Sequence, residues 1–204
     1  CIFGGLVVGN ETPRYLESLT SSYQDAPSSI FELALREEQE NMATLLKYNG
    51  GENVYLLADE LAEWMVNNVT VKRNNRDLAR TMGKIKELKE RFTRISLGDR
   101  SRFANQSYMF ANQFSAMLDI ALIITKGALL RDEFRGAHFK PEFPNRDDEH
   151  WLKTTVATYS PDEPQISYES VDLRHLKPSL RDYTTAKKVI PHLENIPSNI
   201  TLPL

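Results

Sequence analysis

Four consecutive segments of this chain place an apolar side chain at every third or fourth position, and this spacing constrains the fold more than any other feature. The most regular segment does so at Leu78, Met82, Ile85, Leu88, Phe92 and Ile95. Lysines and glutamates occupy the positions between them. Because an isolated helix of this kind is marginal in water, its apolar stripe needs partner helices. The sequence therefore predicts a mainly α fold, built as a helical bundle.

Two segments before this one follow the same period. The first predicts a helix over about residues 29 to 48, with Ser29 and Glu32 at the spacing of a capping box and Gly50-Gly51 after its end. The second has Val54, Leu57, Leu61, Trp64, Met65 and Val69 on one face. We interpret it as a second amphipathic helix.

The fourth segment, about residues 101 to 130, is apolar almost all the way round, which indicates a central, heavily buried helix. Phe-Ala-Asn-Gln occurs at 103–106 and again at 110–113, and the offset of seven residues would place both copies on one face. We interpret the repeat as a seam of the bundle. Three main long helices packed as in a spectrin repeat are the predicted core architecture.

A small β-hairpin and an extended tail are predicted after the bundle. Residues 151 to 158 and 165 to 168 have strand character, and residues 160 to 164 between them form the turn. From about residue 171 the chain has several prolines and little periodic hydrophobicity. We expect this tail to be extended and partly mobile, with disorder near Leu204.

Composition excludes several classes of protein. With 41% hydrophobic residues and 26% charged residues, the chain is neither a membrane protein nor a disordered one. The 25 basic and 28 acidic residues are spread along it, so no basic stripe is offered to phosphates and no nucleic-acid partner is expected. The single cysteine, Cys1, cannot form an intramolecular disulfide, which fits a reducing compartment.

The opening residues, Cys1 to Gly9, indicate the interior of a longer polypeptide. No basic region precedes them, and the apolar run is too short to span a bilayer, so they resemble neither a signal nor an anchor. Glycines alternate there with large apolar side chains. This mixture is suited to close packing against a surface that lies outside this chain.

The sequence does not predict a self-contained active site. The possible metal ligands show no recognised ligand spacing, and surface or hydrogen-bonding roles are favoured for them. They are His138, His150, His175, His192, Asp147, Asp148 and Glu149. No Gly-x-Ser-x-Gly elbow, Gly-x-Gly-x-x-Gly turn or phosphate-binding lysine motif occurs. We therefore assign no catalytic, cofactor-binding or metal-binding residue to this chain.

The densest polar cluster follows directly on the most apolar segment. It contains Arg131, Glu133, Arg135 and His138. Arginine offers paired donors that match a carboxylate, so these side chains can lock a turn or clamp a neighbouring domain. A buried ion-pair corner is favoured over a catalytic role.

Two stretches resemble the succinate dehydrogenase and fumarate reductase flavoproteins. Arg-Asp-Glu-Phe-Arg-Gly-Ala-His at 131–138 is similar to the family signature Arg-x-Glu-Ser-Arg-Gly-Ala-His, and Phe-Pro-Asn-Arg-Asp-Asp-Glu-His-Trp-Leu at 143–152 is similar to its Phe-Pro-x-Arg-Asp-Asp-Glu-x-Trp-Leu. Lys-Ile-Lys-Glu-Leu-Lys-Glu-Arg at 84–91 and Lys-Pro-Ser-Leu-Arg-Asp-Tyr at 177–183 look like further parts of the bacterial type. Phe134 departs from the usual serine, which puts the hydrogen bonding of that turn in doubt.

The resemblance implies a division of the chain into three parts. Residues 1–26 would end a flavin-binding domain, residues 27–131 would form the helical bundle, and residues 132–204 would form a C-terminal segment with the hairpin and tail. The family's Asn-Arg-Leu-Gly-Gly-Asn-Ser-Leu stretch, which completes the flavin and dicarboxylate sites, is absent here. The resemblance therefore implies a structural, subunit-contacting piece that binds no cofactor and is inactive alone.

For the full-length subunit the resemblance implies FAD and the interconversion of succinate and fumarate. Hydride would pass to covalently held FAD, and electrons would then pass through an iron-sulfur subunit to a membrane quinone. The implied partners are the flavin domain of the same subunit, the iron-sulfur subunit and a membrane anchor subunit. The implied location is the cytoplasmic face of the bacterial inner membrane, and the direction of the reaction stays open.

Two other interpretations compete with this one. L-aspartate oxidase shares the Glu-x-Arg-Gly-x-His corner, but the Arg-Asp-Asp-Glu-x-Trp-Leu stretch at 146–152 and the long tail argue against it. A stand-alone helical module that binds a partner protein is the alternative outside the enzymes.

Overall fold

The computed structural model describes residues 2–160, 162–175 and 178–179. Within these residues the chain forms six α-helices, one 3-10 turn and a two-stranded antiparallel sheet. The helices are α1 (Ile2–Ser18), α2 (Ser28–Lys47), α3 (Val54–Asn68), α4 (Asn75–Phe92), α5 (Gln106–Leu130) and α6 (Asp148–Trp151); the strands are β1 (Lys153–Thr158) and β2 (Gln165–Ser170). The prediction of a mainly α bundle followed by a hairpin is confirmed.

The core of the bundle lies between α3, α4 and α5, and α4 packs against both of its neighbours. Its largest buried side chains come from all three helices and include Leu57, Leu78, Ile85, Leu88, Phe114, Leu118 and Leu122. Helix α2 reaches this core only near its end, where Leu45 is its one buried residue. The apolar stripe of α4 thus finds the partner helices that its spacing predicts.

Helix starts are set by asparagine caps at three of the long helices. The side chains of Asn53, Asn74 and Asn105 accept hydrogen bonds from backbone N–H groups in the first turns of α3, α4 and α5. The predicted capping box at Ser29 is wrong, because α2 already begins at Ser28 behind Pro27 and no side chain caps it. Proline fixes the backbone before this helix instead.

The predicted seam of two Phe-Ala-Asn-Gln copies is also wrong. Most of the first copy lies before α5: Phe103 is 89% exposed, Ala104 has a φ of 53°, Asn105 is the N-cap, and Gln106 alone is in the helix. The whole of the second copy, at 110–113, lies in the helix. The N-cap asparagine therefore separates the two copies into different backbone conformations.

Helix α5 buries one face instead of its whole circumference. Seven residues are buried: Ala111, Phe114, Leu118, Ala121, Leu122, Thr125 and Ala128. Met109, Met117, Ile120 and Ile124 on the other side are exposed. The helix is long and apolar enough to cross a membrane by length and composition alone, yet its buried face forms the bundle core. The expectation of a heavily buried helix is met on only half of it.

The hairpin pairs β1 and β2 in a simple antiparallel register, from Lys153 opposite Ser170 to Thr158 opposite Gln165. The prediction that the first strand starts at Trp151 is wrong, since Trp151 lies in the single turn of α6. The side chain of Asp147 caps this turn by accepting a hydrogen bond from the backbone N–H of His150. The predicted tail begins at about residue 171: residues 171–175 and 178–179 have no helix or strand, and residues 176–177 and 180–204 lie outside the described residues.

Candidate functional site

The polar cluster lies where the chain leaves α5 and reverses direction. Arg135 and His138 exchange two backbone hydrogen bonds of 3.0 Å, so residues 135 to 138 form a tight turn. Gly136 has a φ of 60° in this turn, a conformation that glycine adopts without the cost of a side chain. The turn holds His138 against the segment that begins at Arg131.

Glu133 is the centre of the cluster and is fully buried. Arg135 donates to its two carboxylate oxygens at 2.8 and 2.9 Å, in the paired geometry that suits guanidinium and carboxylate groups. Arg131 donates to the same carboxylate, and the backbone N–H of Asp147 donates to it at 3.2 Å. Two cations and one amide therefore compensate the single buried carboxylate.

A second carboxylate extends the network towards the surface. Asp148 accepts from Arg135 at 2.7 Å and from Arg146 at 2.6 Å. These two guanidinium groups, Arg146 first, lower the pKa of Asp148 to about 2. Arg135 thus joins the buried Glu133 to the start of α6.

Arg131 also fixes the hairpin to the end of α5. Its guanidinium donates to the backbone carbonyl of Trp151 at 3.0 Å and to that of Lys153. The same guanidinium lies 5.4 Å from the centre of the Trp151 ring, within range of a cation-π contact. One arginine therefore orients both the acidic centre and the first strand.

His138 is held at both ring nitrogens. Nε2 lies 2.8 Å from the backbone oxygen of Arg131, and Nδ1 lies 2.7 Å from Nη1 of Arg73. A carbonyl only accepts and a guanidinium only donates, so Nε2 carries the proton and Nδ1 is the acceptor. Burial lowers the pKa of His138, and the nearby positive charges add to this effect. The imidazole is thus a neutral link between two distant segments.

The corner also contains two residues, Lys140 and Arg73, that sequence reasoning did not identify. Lys140 is fully buried and donates to the backbone oxygen of Leu129 and to Asp132, both at 2.9 Å. Burial lowers its pKa. Arg73, in the connection between α3 and α4, reaches the corner from 65 residues before His138. No local pattern marks Arg73, because its partners come together only in the folded bundle.

A cleft of about 300 Å³ opens beside the corner, between α5 and the hairpin. The basic residues of its wall are Arg73, Arg131 and His138. The other residues of its wall are mainly aliphatic: Ile123, Ile124, Gly127, Ala128, Thr155, Ala157 and Ile166. The cleft therefore offers both basic and apolar contacts.

The other histidines do not join this site. His150 is exposed and pairs with Asp147 at 2.8 Å, and His175 is exposed. Glu149 is exposed as well, and His192 lies outside the described residues. In the part of the chain that the structure covers, no group of three His, Cys, Asp or Glu side chains is arranged to hold a metal ion.

The described residues do not fit a flavin dinucleotide. No glycine-rich turn leads from a strand into a helix among them, which is the usual cradle for a pyrophosphate. Four clefts lined by described residues measure about 250 to 300 Å³ each, at the small end for a ligand site. The described residues therefore lack the usual cradle for the dinucleotide's pyrophosphate.

The chemistry that the corner can perform is electrostatic and structural. It presents no serine, cysteine or threonine beside a free base, and both nitrogens of His138 are engaged. What it does is tie the end of α5, the α3–α4 connection and the hairpin into one unit. Ion pairs and carbonyl contacts to buried groups hold these segments in fixed positions.

Comparison with known proteins gives a consistent result. The sequence profile described as fumarate reductase flavoprotein C-term matches residues 58–183. The succinate dehydrogenase flavoprotein subunit of Bacillus subtilis is 46% identical over 188 residues, which are 91% of this chain and 32% of that protein. The fumarate reductase flavoprotein subunit of Helicobacter pylori is 36% identical over 196 residues, 94% of this chain and 27% of that protein.

A solved structure agrees with the sequence matches. A chain of the quinol fumarate reductase of Escherichia coli superposes with a TM-score of 0.72 at 26% identity, over 76% of this chain and 27% of that one. The chain thus spans about a third or less of the length of the relatives that it matches.

Proposed function

The chain belongs to the family of fumarate reductase and succinate dehydrogenase flavoproteins and corresponds to their C-terminal region, and from this membership we propose that it is the structural third of a subunit that interconverts succinate and fumarate. The 46% identity with the Bacillus subtilis subunit along nearly the whole chain carries this proposal. In such a subunit FAD, bound by the remaining two thirds, supplies the redox chemistry. The residues described above supply no group that reacts.

The exposed apolar faces support a packing role within that larger subunit. Every described residue of α1 is exposed, including Ile2 at 83% and Phe3 at 80%. The outer face of α5 exposes Met117, Ile120 and Ile124 as well. Large apolar side chains exposed along whole helix faces are typical of surfaces that pack against another protein surface. We propose that the flavin domain of the same polypeptide covers them.

The other partners follow from the same membership. We infer that the complete subunit works with an iron-sulfur subunit and a membrane anchor subunit, which pass electrons to a quinone. It would then lie peripherally at the cytoplasmic face of the bacterial inner membrane.

A chimera tests the proposal directly. The matching third of the Bacillus subtilis subunit is replaced by this chain, and the chimera is produced with the other subunits of that enzyme. We expect retained FAD and succinate-dependent quinone reduction, because the two sequences are 46% identical over this region. The control is the same subunit with that third deleted, which we expect to lose activity. A folded, FAD-loaded chimera that assembles but does not oxidise succinate would contradict the proposal.

A second measurement concerns the chain alone. We expect no succinate oxidation with an artificial electron acceptor and added FAD, because the described residues contain no glycine-rich cradle for the flavin's pyrophosphate. Flavin-dependent turnover by the isolated chain would show that it is more than a structural part. No observation in the structure favours the aspartate oxidase or the stand-alone adaptor over the flavoprotein.

A further inference from the structure

The cleft beside the corner contains a cation whose donors are only partly used. Arg73 has five N–H groups. Its Nε–H is shared between the carbonyls of Val69, at 2.8 Å, and Thr70, at 2.6 Å, and one N–H of Nη1 points to His138. Two of the five are therefore engaged among the described residues, which leaves three at the distal end of the guanidinium.

Arg73 also lacks a compensating carboxylate within the described part of the chain. The other cations of the corner each have one: Arg131 and Arg135 share Glu133, and Lys140 pairs with Asp132. Arg73 is half-buried, and the hydrogen-bond partners of its side chain among the described residues are a neutral imidazole and two carbonyls. A partly desolvated charge without a counter-ion is costly, so the fold leaves a place for an anion.

The shape of the cleft limits what that anion can be. Arg73, Arg131 and His138 are the polar part of its wall, and Ile123 and Ile166 belong to the apolar part. The volume of about 300 Å³ accommodates a small group with a charged end and a hydrocarbon stem. The distal edge of a guanidinium matches the two oxygens of a carboxylate.

We propose that this cleft binds an aliphatic carboxylate, with its oxygens on the distal nitrogens of Arg73 and its carbon chain against Ile123, Ile124 and Ile166. His138 is a positioning residue, because its Nδ1 holds Nη1 of Arg73 and so orients the guanidinium. The carboxylate comes either from a free small acid or from an acidic side chain elsewhere in the complete polypeptide.

The test is a titration of the 204-residue chain with sodium butanoate at constant ionic strength, against chloride and inorganic phosphate. The readouts are the ¹⁵N shifts of the His138 ring and the Nε shift of Arg73. We expect a saturable change with a Kd on the order of 1 to 10 mM for so small a ligand. Phosphate should bind more weakly, because it gains nothing from the apolar part of the wall.

Variants connect the signal to Arg73. Arg73→Gln should weaken butanoate binding roughly 10-fold or more, since a charge-assisted hydrogen bond is lost. Arg76→Gln is the matched control, because Arg76 is three residues away and its side chain is 80% exposed. Arg73→Lys keeps the charge without the paired donors and should bind at an intermediate level. It also keeps the test valid if Arg73→Gln does not fold.

A second titration, on the complete flavoprotein subunit, decides where the carboxylate comes from. Only this second titration rests on the proposed function. Butanoate binding by both proteins indicates a free small acid. Binding by the 204-residue chain alone indicates that an acidic side chain of the polypeptide fills the cleft in the complete subunit. No saturable binding to the 204-residue chain, binding that survives Arg73→Gln, or tighter binding of phosphate would each overturn the proposal.

Discussion

Glu133 shows how a single buried charge organises the end of the bundle. Its carboxylate is fully buried and accepts from Arg131, Arg135 and the backbone of Asp147. A buried ion pair adds little net stability by itself, but removal of one partner leaves the other charges uncompensated. The residue is therefore more important for holding the corner together than for the energy of any one contact.

The first prediction concerns this carboxylate. Glu133→Gln should lower the free energy of unfolding by about 3 to 5 kcal/mol, because two guanidinium groups lose their buried counter-ion. The measurement is the urea midpoint with its m-value. Glu169→Gln, on the exposed side of β2, should stay within about 0.5 kcal/mol of the parent. Equal midpoints for the two variants would show that the corner is not held by Glu133.

His138 should make stability depend on pH. Burial and the neighbouring cations Arg73, Lys140 and Arg131 lower its pKa below the usual 6.5. The unfolded chain therefore takes up a proton near pH 6.5, while the folded chain resists it until lower pH. The stabilising contribution is fully present above pH 6.5 and is lost as the pH falls from there towards the folded pKa.

Unfolding midpoints at pH 7.5 and 5.5 check this second prediction. The parent should lose stability over this interval, and His138→Gln, although less stable at pH 7.5, should lose less. His175→Gln, which removes an imidazole at an exposed position, is the matched control with which the two pH values are compared. A parent protein that is equally stable at both pH values would contradict the assignment of His138 as a neutral, buried link.

Sequence alone identified part of this corner for a physical reason. Arg131, Glu133, Arg135 and His138 lie within eight positions, so their charges stand out in a linear reading. Arg73 and Lys140 could not be found in that way. Arg73 meets His138 across 65 residues, and buried lysines are rare enough that no pattern predicts one.

At the scale of helices and loops, the loop after α2 depends on one close approach of two backbones. Gly50 donates to the carbonyl of Ile95 at 3.2 Å, and Glu52 donates to that of Arg94 at 3.1 Å. A Cβ added at Gly50 would lie 1.9 Å from the backbone oxygen of Arg94. The loop after α2 can pair with the segment that follows α4 only because residue 50 has no side chain.

The third prediction follows from this contact. Gly50→Ala should destabilise the protein by about 1 to 3 kcal/mol or more, because backbone atoms must separate to admit the methyl group. Gly51→Ala is the matched control, since no atom lies within 4 Å of the added Cβ. Thermal unfolding of both variants checks the difference. Similar melting temperatures would mean that the loop moves away from α4 at little cost.

Helix periodicity predicted the elements well and their ends less well. The stripe of α4 describes a single face, and the structure buries that face. The Phe-Ala-Asn-Gln repeat failed because spacing alone does not distinguish a helix interior from a cap. Asn105 is an N-cap while Asn112 lies inside α5 and bonds to Asn41 at 2.9 Å. Identical tetrapeptides thus have different roles.

At the scale of the whole molecule, the buried core and the exposed apolar surface come from the same helix. The sequence indicated that α5 is apolar all round, but it could not show how the second face is covered. In the described part of the chain, the bundle packs against one face only. The groove between α3 and the outer face of α5, about 270 Å³ in volume, is lined by Ala58, Leu61, Ala62, Met65, Met117, Ile120, Ala121 and Ile124.

The last prediction tests this surface in the isolated chain and in the complete subunit. Ile120 is 55% exposed, so Ile120→Lys should leave the fold of the isolated chain intact. The change should also reduce its self-association, because it places a charge in the apolar groove. Gln165→Lys, at an exposed position on β2, adds the same charge away from α5 and should have little effect. Sedimentation velocity of both variants measures the difference.

In the chimeric Bacillus subtilis subunit the same substitution should have the opposite consequence. If the flavin domain covers this face, the lysine introduced by Ile120→Lys becomes a buried charge without a partner, and the assembled subunit should melt several degrees lower or fail to retain FAD. The Gln165→Lys chimera should behave like the unsubstituted one. An Ile120→Lys chimera that assembles with unchanged stability would mean that the outer face of α5 stays exposed in the whole protein, and the apolar groove would then need a different partner.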